Sequence, residues 1–464
     1  MDSVSRRSFM KQSAVLAAAS AAASGVSPLV SNVTAAASAS FSAGVAVRDI
    51  TPAPGAPLWG YSDGVRVGES TLDSLHAKAL VVAAGDTTVG LVVLDLGRVP
   101  MPDACARICE RAKAAGIEDV VFTATHTHSA PFMELPGLPY LESIENGIAE
   151  ALEEAKSKVQ PAHIGVGRCT IDIAHNRRFI KDGKCYMLWR NAERRPTAPV
   201  DQEAGVIRID TADGKALATL VNYACHSVIF GPDNKQYSAD WPGEMCRTVQ
   251  EATGAECLFL QGGCGDINPY LDKTPLAEGG INAMRGEGRK AGQAVADAWK
   301  TIQPAPPGAP SLSYREESVP VGLRWDLQDP QQEAILKEAY GPAFDLYIGR
   351  LKPDLAVPLS VLLLNGSLAL CLMPGEFFVQ LQRDLKTHSP LPDTFLCGYA
   401  NDFHAYFPTV RDAAIGGYGG NVATYVGVGA GEKLVTRAAV LVGEMTGQLG
   451  KLKGPEDLAL LEMT

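Results

Sequence analysis

The chain lacks a surplus of positive charge. Of its 464 residues 41 are Lys or Arg and 52 are Asp or Glu, giving a formal charge of −11, and no Lys/Arg-dense stripe with interleaved aromatics runs through it. A groove that neutralises phosphates needs such a stripe, so nucleic acid is not an expected partner, and neither is an anionic membrane surface. Charged residues of either sign make up only 20% against 46% hydrophobic, too little charge for global disorder and enough apolar material for a large core. The length matches two to three domains, or one large one, at about 150 residues each. No CxxC pair occurs among the ten cysteines, and several of these lie in apolar runs such as Leu370-Cys371-Leu372, where a buried reduced thiol acts as a small hydrophobe. No repeat of solenoid or propeller length is present, and no stretch beyond the N-terminus is apolar enough to span a bilayer.

What the N-terminus does have is an address. Ser5-Arg6-Arg7-Ser8-Phe9-Met10-Lys11 precedes a mildly apolar, acid-free run, Ala14 to Ala21. A twin arginine, a weak hydrophobic region and then small residues read as a Tat-type export signal over 1–39, with a membrane anchor as the competing reading. Cleavage fits at Ala35-Ala36-Ala37 or Ala37-Ser38-Ala39. Residues 40–464 are then expected as a soluble catalytic unit in the periplasm, cell envelope or exterior, without a stable membrane anchor.

Runs such as Ala79–Ala83, Gly90–Asp95 and Asp119–Ala124 have strand character. They alternate with helical stripes, Ile144, Ile148, Leu152 and Ala155 on one and Ala291, Val295, Trp299 and Ile302 on another. The class is mixed α/β. Gln303-Pro304-Ala305-Pro306-Pro307-Gly308-Ala309-Pro310 is the one clear breaker, but polar motifs from both sides of it belong together, so it is expected to be internal to a single unit.

Five apolar runs end in residues that do chemistry: His126-Thr127-His128-Ser129, Cys225-His226, Gln261 to Pro269, Pro374-Gly375-Glu376 and Tyr399 to Tyr406. Carboxyl ends of strands are where α/β folds assemble ligand sites. In an extended segment His126 and His128 would lie on one face, able to share a metal or simply to hydrogen-bond each other. Zinc takes three or four ligands, and His226 and Glu376 are the right types at strand ends. Tyr406 adds a phenolate if a dication favours the anion. Trp59, Tyr61, Phe132, Met133, Leu135 and Trp241 would line an apolar pocket or serve as core.

At these residues the chain resembles the neutral/alkaline, non-lysosomal ceramidases and their bacterial relatives. The phrases are Val47-Arg48-Asp49-Ile50-Thr51-Pro52, Ala124 to Pro131, His175-Asn176-Arg177-Arg178, Asn222 to His226, Ser238 to Gly243, Gly265-Asp266-Ile267-Asn268-Pro269, Met373 to Glu376 and Asn401 to Tyr406. The resemblance implies Zn2+ held by His126, His226, Glu376 and Tyr406, with His128 and Arg177 as catalytic residues. One of the neighbours Arg177 and Arg178 is expected to be a surface or ion-pair arginine. Two departures stand out. Asn268 occupies the place of a family serine, and the chain stops at Thr464, where typical ceramidases continue into an immunoglobulin-like domain.

The expected chemistry is therefore that of an exported zinc hydrolase with a metal-bound water attacking an amide (N-acyl) or ester carbonyl of a small-molecule or lipid-like substrate. His128 would relay a proton and Arg177 would stabilise the oxyanion. Asn268 would hydrogen-bond substrate, and Asp266 would orient a partner or the water unless it only satisfies backbone N–H groups of its turn. Two other readings stand beside this one, a zinc enzyme of the same fold acting on a glycosidic or phosphoester linkage, and an inactive metal-binding protein.

Overall fold

The computed structural model describes residues 40–61, 66–341, 344–349 and 351–449; the export signal and its cleavage sites lie outside the described residues. Eight strands form a mixed sheet: β1 (Ser42–Asp49), β2 (His76–Ala84), β3 (Thr87–Leu94), β4 (Asp119–Ala124), β5 (Gln160–Thr170), β6 (Glu203–Thr211), β7 (Ala216–Tyr223) and β8 (Glu256–Gln261). Their order is β8-β7-β6-β5-β1-β2-β3-β4. A second sheet runs β9 (Leu312–Pro320), β10 (Ala356–Leu364), β11 (Leu368–Leu372) and β12 (Asp393–Cys397).

Side chains alternate across a strand, and here both faces are apolar, so each sheet must be covered twice. Leu80, Val82, Leu91, Val93, Val121 and Leu220 pack against Leu362, Leu364, Leu370, Leu372 and Phe395, joining the sheets face to face. The intervening Ala79, Val81, Val92, Leu94 and Phe122 point the other way, into a core with the helices Pro102–Ala114, Leu141–Ser157, Asp240–Thr253 and Gly280–Thr301. On the far side of the small sheet Val361, Leu363, Ala369 and Cys371 meet the helices Val379–His388 and Ala430–Met445. The result is a helix–sheet–sheet–helix stack of mixed α/β class.

The stripe Ile144, Ile148, Leu152 and Ala155 is buried as its spacing predicts. On the other stripe Ala291 and Val295 are buried, whereas Ile302 lies one residue past its helix, at the C-cap. The Pro-rich stretch is tied to the large sheet by a bridge between Ala305 and Ile164. All ten cysteines are unbonded, and Cys225, Cys246, Cys257, Cys264, Cys371 and Cys397 are buried. No described helix is long and apolar enough to cross a membrane.

The pairs β3–β4, β7–β8 and β11–β12 are parallel, and the motif-bearing loops leave from the carboxyl ends of these strands. There the two sheets are laced together. The buried Asn222 amide donates to the carbonyls of Leu260 and Leu396 at 3.2 and 2.8 Å, and the Gly398 N–H donates to Gln261 at 2.8 Å. Asn401 donates its backbone N–H to the Phe122 carbonyl and accepts the Phe122 N–H on its side chain, both at 3.0 Å.

Leu370 is 1% exposed in the layer between the sheets. Leu370→Ala is expected to destabilise the fold by about 2–5 kcal/mol, the cost of a buried leucine truncation. Chemical denaturation checks this, and an unchanged midpoint would show that the sheets do not depend on this layer.

Candidate metal centre

His126 follows β4, but the chain there is not extended: His126 has φ +62°, a left-handed conformation uncommon for a residue with a Cβ. The extended-strand expectation for the His126/His128 pair is thus corrected. A turn brings the two rings to face the same point, nearly perpendicular at 86° and with their Nε2 atoms 3.3 Å apart. The turn is held by the His126 N–H on the Leu96 carbonyl at 3.0 Å and by the Thr127 hydroxyl on the Ser238 carbonyl at 2.7 Å. Gly60 makes room for it, since a Cβ at that position would lie 2.4 Å from the His128 ring.

Each of two imidazoles has its tautomer fixed by a backbone carbonyl, which can only accept. His126 Nδ1 donates to Gly97 at 2.7 Å and His226 Nδ1 to Ile267 at 3.0 Å. Both Nε2 lone pairs are therefore turned inward. Glu376 Oε2 lies 3.1 Å from His226 Nε2 and 3.7 Å from His126 Nε2, and one ligand atom from each of the three residues falls within a 4.8 Å group. Three acceptor atoms facing one another without a proton repel unless a cation lies among them. All three side chains are buried, and the His₂Glu donor set is one that zinc takes. The residues fit a metal ion.

Protonation points the same way. Burial pushes His126 down to about 3, and it drives His226 and His128 well below the usual imidazole range, with the Arg177 charge adding to it at His226 and the other two rings at His128. All three rings are neutral at neutral pH, the form that binds metal. Burial raises the Glu376 carboxyl. Tyr406 stands beside Glu376 because the short strands Glu376–Phe377 and Tyr406–Phe407 pair in parallel with these two residues in register. Burial, and then the Glu376 charge, hold its phenol well above its ordinary value, so it keeps its proton unless a cation favours the anion.

Arg177 enters from the strand Ala174–Asn176, which pairs with Ile267–Pro269. Its guanidinium donates to Tyr406 Oη at 3.0 Å, to Asn268 Oδ1 at 3.2 Å and to the Gly265 carbonyl at 2.6 Å. A Cβ on Gly265 would sit 2.4 Å from the Glu376 carbonyl, so only glycine lets this loop pass under the ligand. Arg178 turns away, buried against Asp412 at 3.3 Å, and is the ion-pair arginine of the two.

Asp266 does not face the metal ligands with a free oxygen. Its carboxylate accepts Asn176 Nδ2 at 2.6 Å and the Val379 N–H at 2.8 Å, and its carbonyl accepts the Arg177 N–H. It positions the Arg177 strand against the start of a helix, through partners 90 and 113 residues away in sequence and not through backbone N–H groups of its own turn.

Of the apolar candidates, Trp59 lies 5.0 Å edge-on to both His126 and His128, and Tyr61 lies 4.9 Å from His128. Met133 and Trp241 are core instead, Trp241 supporting the site from behind through its indole N–H on the His226 carbonyl at 2.9 Å. Leu135 is exposed, and Phe132 is half-buried.

Residues given no role from sequence are Tyr399, stacked 4.1 Å from His126, Trp189, 5.0 Å from the Arg177 guanidinium, and Asp272, bonded to Asn268. Tyr399 opens a motif already noted; Trp189 has no motif to flag it.

The family model "Neutral/alkaline non-lysosomal ceramidase, N-terminal" matches residues 41–275. Among solved structures, neutral ceramidase from Pseudomonas aeruginosa is similar with a TM-score of 0.70 at 18% identity, covering 88% of this chain and 75% of that one. A ceramidase complexed with C2 is similar with a TM-score of 0.69 at 17% identity, over 88% and 76%. No curated protein matches.

Elemental analysis of zinc-reconstituted protein is expected to find about one zinc per chain. Folded His226→Ala and Glu376→Ala variants, which take ligands from opposite sides of the Pro-rich stretch, should both lose it. Full zinc content in either variant would refute this ligand set.

Proposed function

The chain belongs to the neutral/alkaline non-lysosomal ceramidase family, and on that premise we propose that it is a zinc-dependent hydrolase of an amide (N-acyl) or ester bond in a small-molecule or lipid-like substrate. The observation that carries this reading is the convergence of His126 Nε2, His226 Nε2 and Glu376 Oε2 beside the fixed Arg177 guanidinium. These three atoms and the Tyr406 oxygen would hold the ion. A zinc ion there supplies a Lewis acid and makes water ionise near neutral pH.

The protein's own groups do the rest. Arg177, locked by three acceptors, presents positive charge where the carbonyl oxygen becomes an oxyanion. His128 is neutral, and its Nε2, 3.3 Å from His126 Nε2, is the nitrogen that faces the site; it takes the proton of the attacking water and returns it to the departing amine or alcohol. Trp59 and Tyr61 pack against that ring and keep bulk water from it. Asn268 has no hydroxyl, and both ends of its amide are engaged, so water and no side chain at this position is the nucleophile. The reading extends to the whole chain: a Tat-type signal over 1–39 delivers a catalytic unit, 40–464, to the periplasm, cell envelope or exterior.

Screening zinc-loaded protein against N-acyl amides and esters, with mass-spectrometric detection of the released acid, is expected to give turnover. Arg177→Ala should lower kcat about 10²–10³-fold, as loss of an oxyanion donor does, and His128→Ala about 10²–10⁴-fold, both with zinc retained. No turnover of any N-acyl or ester substrate by the zinc-loaded protein would refute the reading, and unchanged kcat in Arg177→Ala would refute the role of that residue.

A further inference from the structure

Asn268 stands between a cation and an anion. Its Oδ1 accepts Arg177 Nη1 at 3.2 Å, and its Nδ2 donates to Asp272 Oδ2 at 2.7 Å. The amide cannot be turned over, because a guanidinium offers only donors and a carboxylate only acceptors. Both Asn268 and Asp272 are fully buried, at 0% exposure, so no water competes for either bond. Asp272 is held in turn by Lys273, whose Nζ lies 2.8 Å from the same oxygen. Beyond Asn268 the sequence of bonds continues through Arg177 to Tyr406 Oη at 3.0 Å.

We propose that Asp272 is a positioning residue of the hydrolase: it fixes the Asn268 amide, which fixes the Arg177 guanidinium against Tyr406. In this role the two-ended amide of Asn268 couples a buried carboxylate to the arginine that faces the reacting carbonyl. The kinetic part of the inference rests on the hydrolase reading; the coupling of Asp272 to Asn268 rests on the hydrogen bonds alone.

The charged and titratable groups around residue 268 are Arg177 from the paired strand, Asp272 and Lys273 from the following turn, and the His175 ring, opposite it in the strand pair. Asn268→Asp sets a second carboxyl against Asp272. The pair can keep the native arrangement only while one proton bridges them, as two carboxylates this close do not both ionise. Its kcat is therefore present at low pH and lost as pH rises through the pKa of the shared proton. Asp272→Asn keeps an acceptor oxygen for Asn268 Nδ2 but removes the negative charge that strengthens that bond. The double variant Asn268→Asp/Asp272→Asn restores one acceptor for Arg177 and one donor–acceptor contact behind it, with the negative charge moved one place along.

The test is the complete cycle of four zinc-loaded proteins, followed by kcat and KM from pH 6 to pH 9 and by denaturation midpoint. Asn268→Asp is expected to lose about 10- to 100-fold in kcat at pH 8, the usual cost of disrupting a group that orients a site residue, and Asp272→Asn less, with KM little changed. Asn268→Asp should recover toward acid pH, and the double variant should regain most of kcat at pH 8 and most of the lost midpoint. A double variant no better than Asn268→Asp at pH 8 overturns the proposal. If the wild type hydrolyses no substrate, the hydrolase reading fails separately. The midpoints then decide the coupling, additive losses overturning it and recovery in the double variant supporting it.

Discussion

Three acceptor atoms, two imidazole nitrogens and a carboxylate oxygen, point at one another in a buried site. Without a cation this arrangement is repulsive, and burial disfavours charge on the two imidazoles and raises the Glu376 carboxyl. The site therefore depends on the surrounding structure to hold the three in place before any ion arrives. That burden falls on backbone groups. The carbonyls of Gly97 and Ile267 set the tautomers, and the register of Glu376 with Tyr406 places the carboxylate beside the phenol.

The two-sheet architecture makes such placement possible. His126 and His226 follow strands of the large sheet, and Glu376 and Tyr406 lie on a short strand pair that follows strands of the small one, so the ligand set exists only where both sheets end together. The Asn222, Gly398 and Asn401 bonds close that seam. Close backbone passage at Gly265 then lets the loop carrying Asp266 and Asn268 lie under Glu376. Loosening one sheet relative to the other would spread these side chains apart.

Much of this was readable beforehand because strand ends concentrate chemistry. Apolar runs located β3, β4, β7 and β11, and the polar residues at which such runs end named His126, His226 and Glu376. The left-handed turn at His126 was not readable, since no glycine marks it and the strain is offset by contacts distant in sequence. The role of Asp266 was not readable, because its carboxylate is held by Asn176 and the Val379 N–H, 90 and 113 residues away, and not by its own turn. Trp189 and Asp272 were invisible for another reason: a lone aromatic or acid carries no pattern, and its place beside Arg177 or Asn268 is fixed only when the chain folds back. Trp241 shows the converse, an aromatic in a family phrase whose work is support behind His226.

The central claim is that one ion is shared by ligands from both sheets. The most direct measurement is anomalous X-ray scattering from zinc-soaked crystals, recorded above and below the zinc absorption edge. The account predicts a single strong edge-dependent peak about 2.0–2.2 Å from His126 Nε2, His226 Nε2 and a Glu376 oxygen. An ordered site without such a peak, or a peak bound only by residues elsewhere, would contradict it.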